Sequence, residues 1–300
     1  MFKAGYVGVL GRPNAGKSSL INHLIGEKVS IVTAKPQTTR QRIQGIFTDD
    51  LGQIIFVDAP GFVRGDKGLN KFLHTEYTEV MEESDALLAV ISLDEKDPKH
   101  IEKLLDSMKA SGKPWCAVVT KTDLSFMHRT PLIRDMVTER GGQLFTYSVV
   151  KPEEQQDEFL VKGIQQLLPE SPAPLYDPEI YTTQSLRELT SEVIREKCFE
   201  HFQQEVPYGL VVQIRKYQAL PDIDRIYADI IVSRDGHRPM VVGHGGKTLK
   251  SVGTMARKDI ERASGKKVFL DLHVKVKKNW MSSKPMMKEF GYVSTREANS

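Results

Sequence analysis

Cysteine is nearly absent from this 300-residue chain: there are two, Cys116 and Cys198, far apart and each in an apolar or amphipathic setting. They offer neither a disulfide framework nor a cysteine and histidine metal site, so a reducing cytoplasmic compartment and a packing role for both thiols are expected. Long hydrophobic runs are also missing. The longest, Ala86 to Ile91, has only strand length, and the N-terminal MFKAGYVGVLG is broken by glycines. Neither a leader nor a membrane span is expected, while peripheral contact at the inner face of the cell membrane stays open. There is no internal repeat, no low-complexity tract and little net charge, since 42 Lys and Arg face 39 Asp and Glu. What is present is asymmetry. Residues 1–180 hold 21 basic and 25 acidic side chains, whereas residues 181–300 hold 21 and 14. A balance of −4 followed by +7 makes the C-terminal part the one suited to a polyanion.

The length suffices for two cores. Four prolines between Pro169 and Pro178 rule out a helix there and favour an extended spacer. The expected organisation is a first domain over 1–170, a linker over 171–185 and a second domain over 186–300. In the first, GYVGVLG (5–11), QIIFVDAPG (53–61), ALLAVIS (86–92), WCAVVTKTD (115–123) and FTYS (145–148) read as strands followed by loops. Most are apolar on both faces and separated by helix-length segments such as 18–26 and 69–82. That predicts a doubly wound α/β domain with a mainly parallel sheet and its ligand at the carboxyl ends of the strands.

The loop GRPNAGKSS (11–19) fits G-x-x-x-x-G-K-[ST] and lies between a predicted strand and a predicted helix. Gly11, Arg12, Pro13, Asn14, Ala15, Gly16, Lys17, Ser18 and Ser19 would cradle phosphates through backbone amides. Lys17 would reach the β and γ groups and the Ser18 hydroxyl would bind Mg2+. A plain glycine turn is the rival reading. DAPG (58–61) closes the second strand, placing Asp58 to hold Mg2+ through water and the Gly61 amide to sense a γ-phosphate. TKTD (120–123) closes another, where the Asp123 carboxylate can accept from guanine N1–H and N2–H2. Adenine lacks that donor pair, so GTP is expected rather than ATP.

Downstream, 184–204 has helical periodicity with Leu186, Leu189, Val193, Ile194 and Phe199 as the apolar stripe. Strands are predicted at 208–217 and 225–234, then a short element RPMVVG, a basic helix over 247–263 and a strand over 267–278. VVGHGGKTL contains G-x-x-G, with His244 and Gly245 between Gly243 and Gly246. Such a loop lets backbone approach a nucleic-acid strand closely. Residues 236–288 hold 13 basic side chains against three acidic ones. Lys247, Lys250, Arg257 and Lys258 follow the loop, and Lys275, Lys277, Lys278 and Trp280 close the last strand. Ile231 and Val242 are candidates for the groove floor. The alternatives are an ordinary turn and a solvated helix face. Met286, Met287 and Phe290 suggest a packed C-terminal helix.

GRPNAGKS, QTTR (37–40), DAPG, TKTD and a serine loop at Ser148 resemble the five G-motifs of the translation-factor class of GTPases, which includes the Era, EngA and TrmE-like proteins. With the α-β-β-α-GxxG-α-β order, which matches the type II KH fold, the whole chain resembles the Era family of ribosome-assembly GTPases. The resemblance implies a P-loop GTPase domain followed by a smaller α+β KH domain, in a monomer that binds the 3′ end of small-subunit ribosomal RNA and assists small-subunit assembly. It makes Thr39, or its neighbour Thr38, the switch threonine on Mg2+. It assigns Lys17, Thr39 and Gly61 to catalysis and Asp58, Thr120, Lys121, Asp123 and Ser148 to the nucleotide. It also implies a K+ ion seated by Asn14.

Two positions depart from the family pattern, and a third, Phe62, from that of Ras-like GTPases. Thr120 replaces the usual asparagine of the guanine motif, so lower nucleotide affinity with intact guanine selectivity is expected. Val149 stands where alanine is usual, and its larger side chain must turn away from the base. Phe62 occupies the place of a water-orienting glutamine, so slow intrinsic hydrolysis is expected. The alternative is an RNA-binding assembly factor whose nucleotide is structural. A small-molecule kinase lacks support, because no arginine-rich lid is present and TKTD and GHGG would go unexplained. Arg40 and Arg42 read equally as switch residues or as a solvated strand edge. DEKDPKH (94–100) reads as a surface loop, and no histidine falls in a triad or metal pattern.

Overall fold

The computed structural model describes residues 1–33, 35–36, 38–63 and 65–293. Of the QTTR motif, Gln37 lies outside the described residues. The chain divides into two compact units, one formed by Met1–Ser30, Thr39–Val63 and Leu73–Thr183. The other is built on the chain from Gln184 onward and takes in Ile31–Thr38 and Arg64–Phe72.

The first unit is a P-loop GTPase fold. It contains β1 (Lys3–Gly11), α1 (Lys17–Ile25), β2 (Ile43–Thr48), β3 (Gly52–Asp58), most of α2 (Gly68–Glu83), β4 (Ala86–Ser92), α3 (Pro98–Ala110), β5 (Trp115–Thr120), α4 (Thr130–Thr138), β6 (Gln143–Thr146) and α5 (Gln156–Leu167). The sheet order is β2-β3-β1-β4-β5-β6, and only the β2/β3 pair is antiparallel. Strands β3, β4 and β5 are buried at every position because helices cover both faces. Leu20, Ile21, Leu160 and Ile164 pack one face. Tyr77, Val80, Ile101, Leu105 and Val137 pack the other. Strand order reverses about β1, so the loop after β1 sits at the topological switch point, where doubly wound sheets bind ligands.

Cys116 and Cys198 are fully buried and unbridged, and burial pushes both thiols up to about 12, which suits packing residues. Residues 94–100 are a loop only as far as Asp97. Its carboxylate caps the Lys99 amide at 3.0 Å, and Pro98 opens α3 from the first helical position. The proline-rich stretch forms no helix but is tied along this unit. Gln53 Oε1 accepts from the Leu175 and Tyr176 amides at 2.8 and 2.9 Å, and the Ile46 amide donates to Tyr181 O at 2.8 Å.

The second unit is a KH fold: α6 (Leu186–His201), β7 (Leu210–Ala219), β8 (Ile223–Val232), α7 (His237–Val242), α8 (Lys247–Ser264), β9 (Lys267–Val276) and α9 (Lys284–Glu289). Ser185 and Glu188 close a capping box at the start of α6. The sheet order is β7-β8-β9, with β8 and β9 parallel. Ile194, Cys198, Ile230, Val252 and Ala256 lie in its core. Leu186 falls outside the expected stripe and is exposed, being the first helical residue. In α9 Met287 is buried, and just past its end Phe290 is half-buried with its ring edge-on to Trp280 at a centroid distance of 5.5 Å. Trp280 is not a surface residue at the strand end. It is fully buried, stacks on Tyr292 and donates its indole N–H to Gly209 O at 3.0 Å.

Candidate nucleotide site and nucleic-acid interface

Helix α1 starts from Gly16 in the left-handed region (φ 92°), and no side chain caps it, so its first amides remain available to an anion. Lys17 is buried, with Nζ 3.2 Å from Arg12 O and 3.4 Å from Gly11 O. Burial lowers its pKa against the opposing pull of Asp58. Asp58 is also fully buried, and burial raises its pKa against Lys17 and the hydroxyls around it. Both charged forms are therefore disfavoured in the folded protein alone, as expected of a site completed by bound ions.

Three oxygens converge here. Ser18 Oγ donates to Asp58 Oδ2 at 2.5 Å, and Thr39 Oγ1 lies 3.2 Å from Ser18 Oγ and 3.5 Å from Asp58 Oδ2. Thr38 Oγ1 instead donates to Lys35 O at 2.8 Å. Gly61 passes so close to the phosphate loop that a Cβ would lie 2.7 Å from Pro13 N. The Phe62 amide donates to Gly11 O at 3.4 Å, while its half-exposed ring meets Tyr77 and His74 at centroid distances of 5.4 and 5.9 Å.

At the far end of the site, Thr120 Oγ1 donates to Ala15 O at 2.6 Å and approaches Ile91 O at 3.3 Å. Ser148 Oγ donates to Asp123 Oδ1 at 2.6 Å and orients that carboxylate. Gln156 holds Ser148 through both backbone groups, and Val149 points toward solvent. Two residues beyond the motifs join the site. Asp94 pairs with Lys121 at 3.2 Å and Glu95 pairs with Arg12 at 3.2 Å. Their acidic run after an apolar strand was the available signal.

Neither Arg40 nor Arg42 lies on a solvated edge. Arg40 is buried. Arg42 binds three carboxylates of α2: Glu76 at 3.1 Å, Glu83 at 2.6 Å and Glu79. Replacing Arg42 by alanine removes the cation facing two buried carboxylates. Chemical denaturation should show a loss of about 3–5 kcal/mol, the usual cost of removing one partner of a buried pair.

In the second unit, Gly243 has φ 73° and ψ 173°, and a Cβ there would lie 2.1 Å from Thr248 Oγ1. Gly245 and Gly246 are also at positive φ, and Gly246 opens α8 without a side-chain cap. His244 is exposed. The two groups of basic residues differ. Lys247, Lys250, Arg257 and Lys258 are exposed and meet no carboxylate at ion-pair distance among the described residues. Lys275 pairs with Asp229, Lys277 with Glu289 and Lys278 with Asp235, at 2.6 to 2.7 Å. Ile231 is fully buried and floors no groove, whereas Val242 is half-buried.

The model of the 50S ribosome-binding GTPase family matches residues 6–121, and that of the KH domain matches residues 205–281. The chain is 35% identical over 296 residues to GTPase Era of Geotalea daltonii, covering 97% of this chain and 98% of that one. It is 36% identical over 300 residues to GTPase Era of Clostridioides difficile, covering 97% and 99%. Among solved structures, an Aquifex aeolicus Era variant bound to GDP and AlF4− is similar, with 33% identity and a TM-score of 0.90 over 97% of this chain and all of that one. Era in complex with MgGDPNP and nucleotides 1506–1542 of 16S ribosomal RNA has 33% identity and a TM-score of 0.91, over 98% and 100%. With a nucleotide loop, a guanine-type carboxylate and a GxxG loop on one chain, and such similarity along nearly its whole length, this protein belongs to the Era family of GTPases.

Proposed function

We propose that this chain is a GTP-hydrolysing switch protein that binds the 3′ end of small-subunit ribosomal RNA and assists assembly of the small ribosomal subunit. Its GTPase domain would run over 1–170 and its KH domain over 186–300, in a cytoplasmic monomer. The observation that carries the reading is the convergence of Ser18, Thr39 and Asp58 beside buried Lys17, at the loop where GTPase chemistry needs them. Three hard oxygens 2.5 to 3.5 Å apart suit Mg2+. Ser18 and Thr39 would ligate the ion directly and Asp58 through water; when bound, it neutralises charge on the β- and γ-phosphates.

The chain's own groups account for the rest. Lys17 places its ammonium on the β- and γ-phosphates, and the amides from Asn14 to Ser19 surround them. The Gly61 amide donates to the γ-phosphate, and its close packing on Pro13 couples the DAPG loop to the phosphate loop. Asp123, oriented by Ser148, accepts from the guanine Watson–Crick edge. On the KH domain, the unpaired cations of α8 face phosphates while the GxxG backbone approaches the strand.

Phe62 offers no atom to orient the attacking water, so intrinsic turnover is slow until a partner or a cation completes the site. Asn14, exposed at the loop, brings a carboxamide oxygen of the type K+ takes. Hydrolysis should therefore run faster in potassium than in sodium buffer. Phe62 also favours a second reading, in which the nucleotide is structural. A single-turnover assay separates the two. Hydrolysis of bound GTP within minutes to hours, lost by about 10²-fold or more in Lys17→Ala, supports the switch. No hydrolysis in either protein supports the structural role.

A further inference from the structure

The geometry points to Thr120 as the residue that leaves the imidazole edge of guanine unread. We infer that this protein selects its nucleotide by the Watson–Crick edge alone and is indifferent to N7. The inference rests on the guanine-binding reading of Asp123.

A purine seated on Asp123, with its phosphates in the 11–19 loop, must pass beside Thr120. That residue opens the Asp123 loop at the end of β5 and touches the phosphate loop at Ala15. The phosphate loop lies beside it: a Cβ on Gly16 would be in ordinary van der Waals contact with Thr120 Oγ1, at 3.5 Å. Guanine N7 is an acceptor, so reading it takes a donated proton. A threonine side chain has one, whereas an asparagine amide has two. The single proton of Thr120 is committed. Its oxygen lies 2.6 Å from Ala15 O and 3.3 Å from Ile91 O, and both partners are backbone carbonyls with no proton to return. Turning the hydroxyl toward N7 would strip a buried carbonyl of its donor, and Thr120 is only 4% exposed, so water cannot replace it easily. Thr120 therefore keeps the tie to the phosphate loop that an amide would make and gives up the contact with the base. The remaining base reader is Asp123, held by Ser148.

The test uses the full-length protein and three nucleotides: GDP, 7-deaza-GDP, in which N7 is replaced by C–H, and ADP. The two guanine ligands share their ribose, phosphates and Watson–Crick edge, so the ratio of their dissociation constants isolates N7 from any effect on the phosphate loop. The expected ratio is within twofold of one. In Thr120→Asn, whose second amide proton is available, 7-deaza-GDP should bind about two- to tenfold more weakly than GDP, the worth of one neutral hydrogen bond. A tenfold preference of the unaltered protein for GDP over 7-deaza-GDP overturns the inference, because some donor then reads N7. A ratio of one in Thr120→Asn also overturns the assignment to position 120. ADP binding as tightly as GDP would instead refute the guanine reading, and the inference with it.

Discussion

Asp123→Asn should weaken GTP binding about 10³-fold, ~4 kcal/mol, and should transfer the preference to xanthosine triphosphate. In the proposed site the carboxylate would accept from two guanine donors at once, and Ser148 Oγ donates to it at 2.6 Å. An asparagine in its place still accepts from N1–H, but it sets an N–H against the exocyclic amino group of guanine, donor against donor. Xanthine carries a carbonyl at that carbon, so the same N–H becomes an attractive contact. The Ser148 bond survives, because the amide oxygen accepts as the carboxylate oxygen did. Competition binding with GTP, XTP and ATP checks this, and recovered XTP affinity shows that the variant is folded. Equal loss for GTP and XTP would place base recognition elsewhere.

The second large effect belongs to the KH domain and separates its two groups of basic residues. Lys247, Lys250, Arg257 and Lys258 meet no carboxylate among the described residues, so their charge is available to phosphates. Replacing all four by alanine should reduce the slope of log affinity against log salt by about 2.8, at about 0.7 for each single-strand phosphate contact. Near physiological salt that is a loss of about two orders of magnitude in RNA affinity. Lys277→Ala should matter far less, about threefold or under, because its ammonium already lies 2.6 Å from Glu289. Filter binding across a salt series measures both. A comparable loss in Lys277→Ala would mean that the β9 pairs open to receive RNA.

How far each feature was legible follows from where its causes lie. The phosphate loop, DAPG and TKTD stand out in the sequence because each is a contiguous turn at the end of a buried strand, and glycine, lysine and aspartate at those spacings have few structural uses. The G-x-x-G loop is legible for the same reason, and its strained Gly243 supplies the cause. Strand β2 was not recognised. It is an antiparallel edge strand whose sequence, IQGIFT, holds a glycine and shows neither full burial nor clean alternation. Residues 98–100 read as loop, although they open α3, because Asp97 and Pro98 are turn residues that here serve as cap and first turn. The choice between Thr38 and Thr39 depends on which hydroxyl reaches Ser18 and Asp58, a tertiary fact. Likewise Lys275, Lys277 and Lys278 look like free cations along β9, since the carboxylates that neutralise them come from β8, α9 and the loop before α7. Arg42 was ambiguous because three glutamates on one face of α2 decide its role from over thirty residues away.

The switch reading requires that the nucleotide bound at the phosphate loop change how tightly the KH domain holds ribosomal RNA. It is tested most directly by measuring the affinity of the full-length protein for an RNA matching the small-subunit 3′ tail, first with GDP bound and then with a non-hydrolysable GTP analogue. The expected result is a difference of fivefold or more between the two states, about 1 kcal/mol of coupling. Equal affinity in both states would contradict it.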